Sequence, residues 1–133
     1  MSKNNHRNIL LIDDHYPNLL TATAFLDLLN YTHIVAKSGH EGIEQFQLFN
    51  FDLILMDIQM PILDGVETAR QIKEIEKNLS LPATPIFAMT ANFAKGDLNQ
   101  WEAAGIEDVI PKPFNVDYFS KMLARHCNKR VDL

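Results

Sequence analysis

The sequence is short of the residues that define several common classes of protein. Its 133 residues include one cysteine, Cys127, which rules out an internal disulfide framework and any CxxC metal or redox motif. Cys127 falls late on an expected helix and reads as an ordinary thiol. No apolar run approaches the ~20 residues needed to span a bilayer. The first seven residues, MSKNNHR, are polar where a secretory leader would be apolar, so a cytoplasmic location is expected. Without secretion, the glycosylation-like triplets at Asn30 and Asn78 carry no weight. Lys and Arg number 12 against 17 Asp and Glu, a net charge of −5, and the cations are scattered. No basic stripe suited to nucleic acid exists. His6, His15, His33, His40 and His126 are dispersed with no i, i+4 pair, which argues against a histidine metal site. His15, beside Asp14, is expected to be an exposed neighbour of whatever Asp14 does. There is no internal repeat, low-complexity stretch or linker, and the length fits one compact domain over 1–133, its core spanning about 8–127.

What is present is an alternation of short apolar runs and amphipathic stretches, five times over. Asn8 to Ile12 (NILLI) is a nearly solid apolar run ending at Asp13-Asp14, followed by a helix over 18–29 with Pro17 suited to its first turn and Leu19, Ala22, Leu26 and Leu29 inward. Thr32 to Ala36 is a short β-branched strand, and 39–49 a helix with Ile43, Phe46 and Phe49 on one face. Phe51 to Met56 (FDLILM), ending at Asp57, is the strongest run. A helix over 64–77 turns Val66, Ala69, Ile72 and Ile75 inward. The fourth pair is a strand over 85–89 and a helix over 95–104 closed by Gly105. The fifth is a strand over 107–110 and a helix over 115–127 with Asn115 as N-cap and Phe119, Met122 and Leu123 inward. Regular β-α alternation predicts a parallel sheet covered by helices on both faces, which is why the strands are solidly apolar. In such sheets ligands bind beyond the carboxyl ends of the strands.

The polar residues at those ends are Asp13 and Asp14, Asp57, Thr90 and Lys112. Three carboxylates on one rim repel each other, and a hard divalent cation such as Mg²⁺, which takes a few carboxylates, waters and phosphate oxygens, relieves the repulsion. A Lys supplies a point charge for phosphoryl oxygens and a Thr a hydroxyl donor. Asp57 stands alone after the most buried strand and is the nucleophile candidate, since carboxylates attack phosphoryl groups. The Asp13-Asp14 pair suits the metal. Each residue alone has an ordinary explanation: turn, helix cap or solvated charge. Their joint appearance on one rim does not.

Leu11-Ile12-Asp13-Asp14, Leu55 to Pro61 (LMDIQMP), Asp64-Gly65, Met89-Thr90-Ala91-Asn92 and Pro111-Lys112-Pro113-Phe114, in this order, resemble the receiver domains of two-component response regulators and hybrid histidine kinases. The resemblance covers about 8–127. It implies a flavodoxin-like three-layer (βα)5 sandwich whose five-stranded parallel sheet has the order 2-1-3-4-5. It further implies that Asp57 accepts a phosphoryl group from a phosphohistidine, with Mg²⁺ held directly by Asp14 and Asp57, through water by Asp13, and by the main-chain carbonyl of Gln59. By the same resemblance Lys112 pairs with the phosphoryl oxygens and precedes a cis bond to Pro113, Thr90 swings inward as the switch, and the small Ala91 leaves the site open. One position departs: three residues before the Lys, where the family often has an aromatic, stands Val109, with no ring to swing. Phe93 and Trp101 are candidate substitutes, though packing is their ordinary role.

The implied phosphodonor is a histidine kinase or an HPt-type protein. The segments around Pro17-Asn18 and Lys95-Gly96-Asp97 resemble hybrid-kinase receivers more than those of transcription factors, pointing to a phosphorelay. Tyr16, Leu19 and Leu20 are candidate HPt contacts, with core packing the simpler role for Leu19 and a rival one for Leu20. The downstream protein is unspecified, and whether the phosphorylated form pairs with a second copy stays open, as does whether the domain stands alone or within a longer chain. The purpose is regulatory, with the domain assisting its own phosphorylation and dephosphorylation. Two rival classes are weaker. A haloacid-dehalogenase-type phosphatase needs an Asp two residues after the nucleophile, where Gln59 stands. A flavodoxin-like cofactor binder needs a Ser/Thr/Gly-rich phosphate loop where Asp13-Asp14 stands.

Overall fold

The structure, a computed structural model, describes residues 8–92 and 95–128, with side chains undescribed at 95–96 and 127–128. Cys127's side chain, His6 and Phe93 thus lie outside the described residues. Five parallel strands form one sheet in the order β2-β1-β3-β4-β5: β1 (Asn8–Ile12), β2 (Thr32–Ala36), β3 (Leu53–Asp57), β4 (Ile86–Thr90) and β5 (Ile106–Pro111). Helices α1 (Tyr16–Leu28), α2 (Gly39–Leu48), α3 (Gly65–Asn78), α4 (Lys95–Ala103) and α5 (Val116–Asn128) connect or follow them. The expected fold class and strand order are both present.

The apolar strands alternate between two cores. Leu10, Ile12, Ile54, Met56, Ile86 and Ala88 face Phe46, Val66, Ala69, Ile72 and Trp101 of α2, α3 and α4. Ile9, Leu11, Leu53, Leu55, Phe87 and Met89 face Leu19, Ala22, Leu26, Phe119, Met122 and Leu123 of α1 and α5. With both faces covered, each β3 residue is buried and each large side chain contributes about 1.5–3 kcal/mol. Trp101 is therefore core.

Local chemistry sets the helix starts. Ser38 accepts from Glu41 N–H at 3.0 Å, and Glu41 reaches back to Lys37 N–H at 2.9 Å. Asp64 accepts from Glu67 N–H at 2.9 Å and Asn115 from Tyr118 N–H at 3.0 Å, the latter as expected. Gly105 closes α4 at φ +98°.

Three details depart from the sequence reading. Element ends shift by one or two residues, as terminal turns do. Phe49 follows α2 in extended backbone and is 49% exposed, so it does not share the inward face of Phe46. Leu29 lies just past α1 and packs only partly buried. A feature the sequence hid is the latch from α3 to the strand that follows. Buried Glu76 accepts from Thr84 N–H at 2.7 Å and from Lys73 Nζ at 3.0 Å, while Lys73 Nζ also donates to Thr84 O at 2.5 Å. These bonds fix where β4 enters the sheet.

Candidate functional site

The sheet order places the ends of β1, β3 and β5 on one rim. Ile12 is in register with Met56, Asp57 with Met89, and Thr90 with Pro111. The residues one step beyond β1 and β5 are Asp13 and Lys112. Residues separated by 99 positions thus meet: Lys112 Nζ donates to Asp13 Oδ2 at 3.3 Å and to Asp57 Oδ1 at 3.1 Å. Lys112 is itself held by its N–H on Thr90 O at 3.0 Å, and its bond to Pro113 is cis, as the resemblance implied.

Asp13 and Asp57 are buried and Asp14 is exposed. One carboxylate oxygen from each lies within 4.8 Å of the others. Three carboxylates against one ammonium leave negative charge uncompensated, and the donors are all oxygen, so the cluster fits a hard divalent cation such as Mg²⁺. Burial first, and the neighbouring Asp13 charge second, push the Asp57 carboxyl up to about 6; Lys112 opposes them and loses. Asp57 Oδ1 also accepts from Gln59 N–H at 3.3 Å, and Asp13 Oδ1 from His15 N–H at 2.9 Å. His15 is exposed.

Thr90 ends β4 at the rim, and its hydroxyl is engaged within its own loop. Its hydroxyl donates to Asn92 O at 2.8 Å and accepts from Asn92 N–H at 3.2 Å. Reaching an oxygen on Asp57 would cost it that turn. On α1, Leu19 belongs to the core, whereas Leu20 is 53% and Tyr16 63% exposed, which settles core packing for Leu19 and against it for Leu20. Val109 is partly buried against the α3–α4 core, and Tyr118 Oη donates to its carbonyl at 3.4 Å.

Gly65 has a role its place in a motif did not explain. Its N–H donates to Ile58 O at 2.9 Å, and a Cβ there would lie 2.3 Å from Asp57 O and 2.8 Å from Ile58 Cα. Only hydrogen fits between α3 and the backbone that carries Asp57. Gly65→Ala should destabilise the fold by about 1–3 kcal/mol, because the atoms it strikes are main chain. Urea unfolding checks this: the midpoint falls while the slope is unchanged.

Comparison with known proteins agrees with this geometry. The family model for the response regulator receiver domain matches residues 9–124. The chain is 32% identical over 125 residues to the aerobic respiration control sensor protein ArcB of Escherichia coli, covering 94% of this chain but 16% of ArcB. Among solved structures, it is similar to the receiver domain of the sensor histidine kinase PA1611 of Pseudomonas aeruginosa, which has magnesium coordinated in its active site cleft. That match has 31% identity and a TM-score of 0.81, and covers 92% of this chain and 98% of that one. A second match lies in the co-crystal structure of the Saccharomyces cerevisiae histidine phosphotransfer signaling protein Ypd1 and the receiver domain of its downstream response regulator Ssk1. There the identity is 27% and the TM-score 0.90, over 96% of this chain and 93% of that one. With a family model matched over nearly its whole length and an acidic cluster at the strand ends, the chain belongs to the response regulator receiver domain family, the regulatory domains of two-component and phosphorelay systems.

Proposed function

We propose that Asp57 accepts a phosphoryl group from a phosphohistidine on a histidine kinase or histidine phosphotransfer partner in the cytoplasm. The observation that carries the reading is Lys112 Nζ, 3.1 Å from Asp57 Oδ1 and 3.3 Å from Asp13 Oδ2, beside an all-carboxylate cluster. Asp13, Asp14, Asp57 and the main-chain carbonyl of Gln59 would hold Mg²⁺. When bound, the cation neutralises charge on the phosphoryl oxygens and on the carboxylates.

An Asp57 carboxylate oxygen attacks phosphorus and forms the new P–O bond as the donor's P–N bond breaks. The electron pair goes to the imidazole nitrogen, which takes a proton from solvent. Lys112 holds the nucleophile before transfer and meets the added oxygens after it. The dianionic product then competes for the Thr90 hydroxyl against Asn92 O. Movement of Thr90 and the loop behind it would alter the face formed by α4, β5 and α5 and its affinity for a downstream protein or a second copy. Val109 offers no ring to that movement. The domain assists its own phosphorylation and dephosphorylation but acts as a regulator. A dehalogenase-type phosphatase is less well supported, because Gln59 turns a main-chain N–H, and no carboxyl, toward Asp57.

Incubation with Mg²⁺ and acetyl phosphate, followed by whole-protein mass, is the direct test. One phosphoryl mass should appear, and it should be absent when Mg²⁺ is chelated. A folded protein that never gains the mass would end the proposal.

A further inference from the structure

Ile62, in the loop between β3 and α3, carries two costs at once. Its φ is +71°, and Leu63 N–H donates to Pro61 O at 2.7 Å, so the three residues form a γ-turn of the strained, positive-φ kind. A β-branched residue at positive φ is an outlier, because Cβ crowds the neighbouring carbonyl. Asn30 and Ser80, the other non-glycine residues at positive φ among those described, are small polar residues that follow helices α1 and α3. Ile62 is neither small nor polar, and it is 95% exposed, the most exposed large apolar side chain described. Asn or Gly would relieve the backbone and remove the exposed aliphatic surface together. Strain of this kind at the edge of a site points to a use.

The fold places that use. β1 and β3 are neighbours, so the loops after them share the rim that holds Asp13 and Asp57. α1 packs on the α5 face of the sheet and α3 on the α2 face. Exposed Tyr16 and Leu20 therefore belong to the helix that follows β1 on one face of the sheet, and exposed Ile62 to the loop that leads into α3 on the other. A small-molecule phosphodonor needs only the charged cluster at the rim. An apolar pair on one side and an apolar post on the other suit a protein surface with an apolar collar around a single phosphohistidine, which must bring phosphorus to a carboxylate that is only 4% exposed. A receiver of closely similar fold has been crystallised with a histidine phosphotransfer protein.

We infer that Ile62 is a docking and specificity residue for a histidine phosphotransfer partner, held outward by a strained turn and making its contact only with a protein donor. This rests on Asp57 being the phosphoacceptor. The test compares the wild-type chain with Ile62→Asn, Ile62→Gly and Ile62→Met, using acetyl phosphate and phosphorylated Ypd1 as donors, with melting temperature measured in parallel. Ile62→Asn should melt roughly 3–6 °C higher, from relief of the turn. Its labelling by acetyl phosphate should stay within about 2-fold of wild type, while transfer from phosphorylated Ypd1 falls about 10-fold or more, the size of a lost apolar anchor. Ile62→Gly should show the same loss, and Ile62→Met, which keeps the apolar reach, should retain transfer. Equal losses with both donors would assign Ile62 to site geometry and overturn the inference. So would wild-type transfer rates in Ile62→Asn, a lowered melting temperature there, or a wild-type chain that acetyl phosphate labels and Ypd1 does not. Failure of acetyl phosphate to label the wild-type chain would instead overturn the phosphoacceptor reading beneath it.

Discussion

Lys112→Ala should slow phosphorylation of Asp57 by about 10²–10³, the usual cost of losing one preorganised donor to developing charge. Lys112 is the single cation bonded to both buried carboxylates among the described residues, at 3.3 Å from Asp13 and 3.1 Å from Asp57. Two consequences follow from its loss. The product's extra oxygens meet no ammonium, which is the catalytic effect. The resting protein keeps two buried acids with nothing between them, and Asp57 should titrate higher still, since Lys112 is what lowers it. Breaking such a group of buried charges by removing one partner costs several kcal/mol at most, less where a carboxyl can take up a proton instead. The variant should therefore be least stable above neutral pH and recover toward acid. Lys112→Arg restores charge without restoring shape, because a planar fork replaces a compact ammonium. Stopped-flow or quench measurements with acetyl phosphate, beside denaturant melts at two pH values, separate the catalytic loss from the structural one. Near-wild-type rates in Lys112→Ala would contradict the role assigned to it.

The second large effect is on stability and runs against intuition. Asp57 lies at about 6 in the fold against 3.8 ordinarily, chiefly through burial and then Asp13. The unfolded chain thus gives up its proton first as pH rises. The stability this group contributes is whole below 3.8 and is lost as pH climbs through 6. At one pKa unit per 1.36 kcal/mol, roughly 1–3 kcal/mol is at stake. Asp57→Asn removes the charge and keeps the shape, so the metal-free variant should be more stable than wild type at pH 7.5 and no more stable at pH 4.5. Mg²⁺ should narrow the gap at pH 7.5 by stabilising wild type alone, and its affinity should weaken as pH falls below about 6, where Asp57 takes up a proton. Thermal melts with and without Mg²⁺ at the two pH values check every part. A wild-type protein more stable than Asp57→Asn at pH 7.5 without metal would show the acids to be stabilising, contrary to this account.

Much of the fold could be read from the residues because burial on both faces leaves a plain mark. FDLILM and NILLI have no polar alternation, and each ends at a carboxylate, so strand ends and rim chemistry were visible together. Asn115 and Gly105 announced their caps by type. What was hidden lies where residue type misleads. Nothing in the identity of Ile62 announces a positive φ; the tight return of the chain to Gly65, whose N–H bonds Ile58 O at 2.9 Å, accompanies it. Lys73 and Glu76 stand three apart on a helix with no sequence mark of burial, yet Glu76 is 4% exposed and bonded to Thr84. Their partner is 8 residues beyond Glu76 in the chain, outside helical spacing. The resting posture of Thr90, turned onto Asn92, was likewise not encoded in its type.

The central claim is that one carboxylate, Asp57, becomes the acyl phosphate. The most direct measurement is to phosphorylate the domain with acetyl phosphate and Mg²⁺, trap the acyl phosphate by borohydride reduction, and sequence the peptides by mass. Reduction converts a phosphorylated aspartate to homoserine, and homoserine is expected at position 57 alone. Homoserine at position 13 or 14, or a stable phosphate on a histidine or hydroxyl residue with position 57 unchanged, would contradict it.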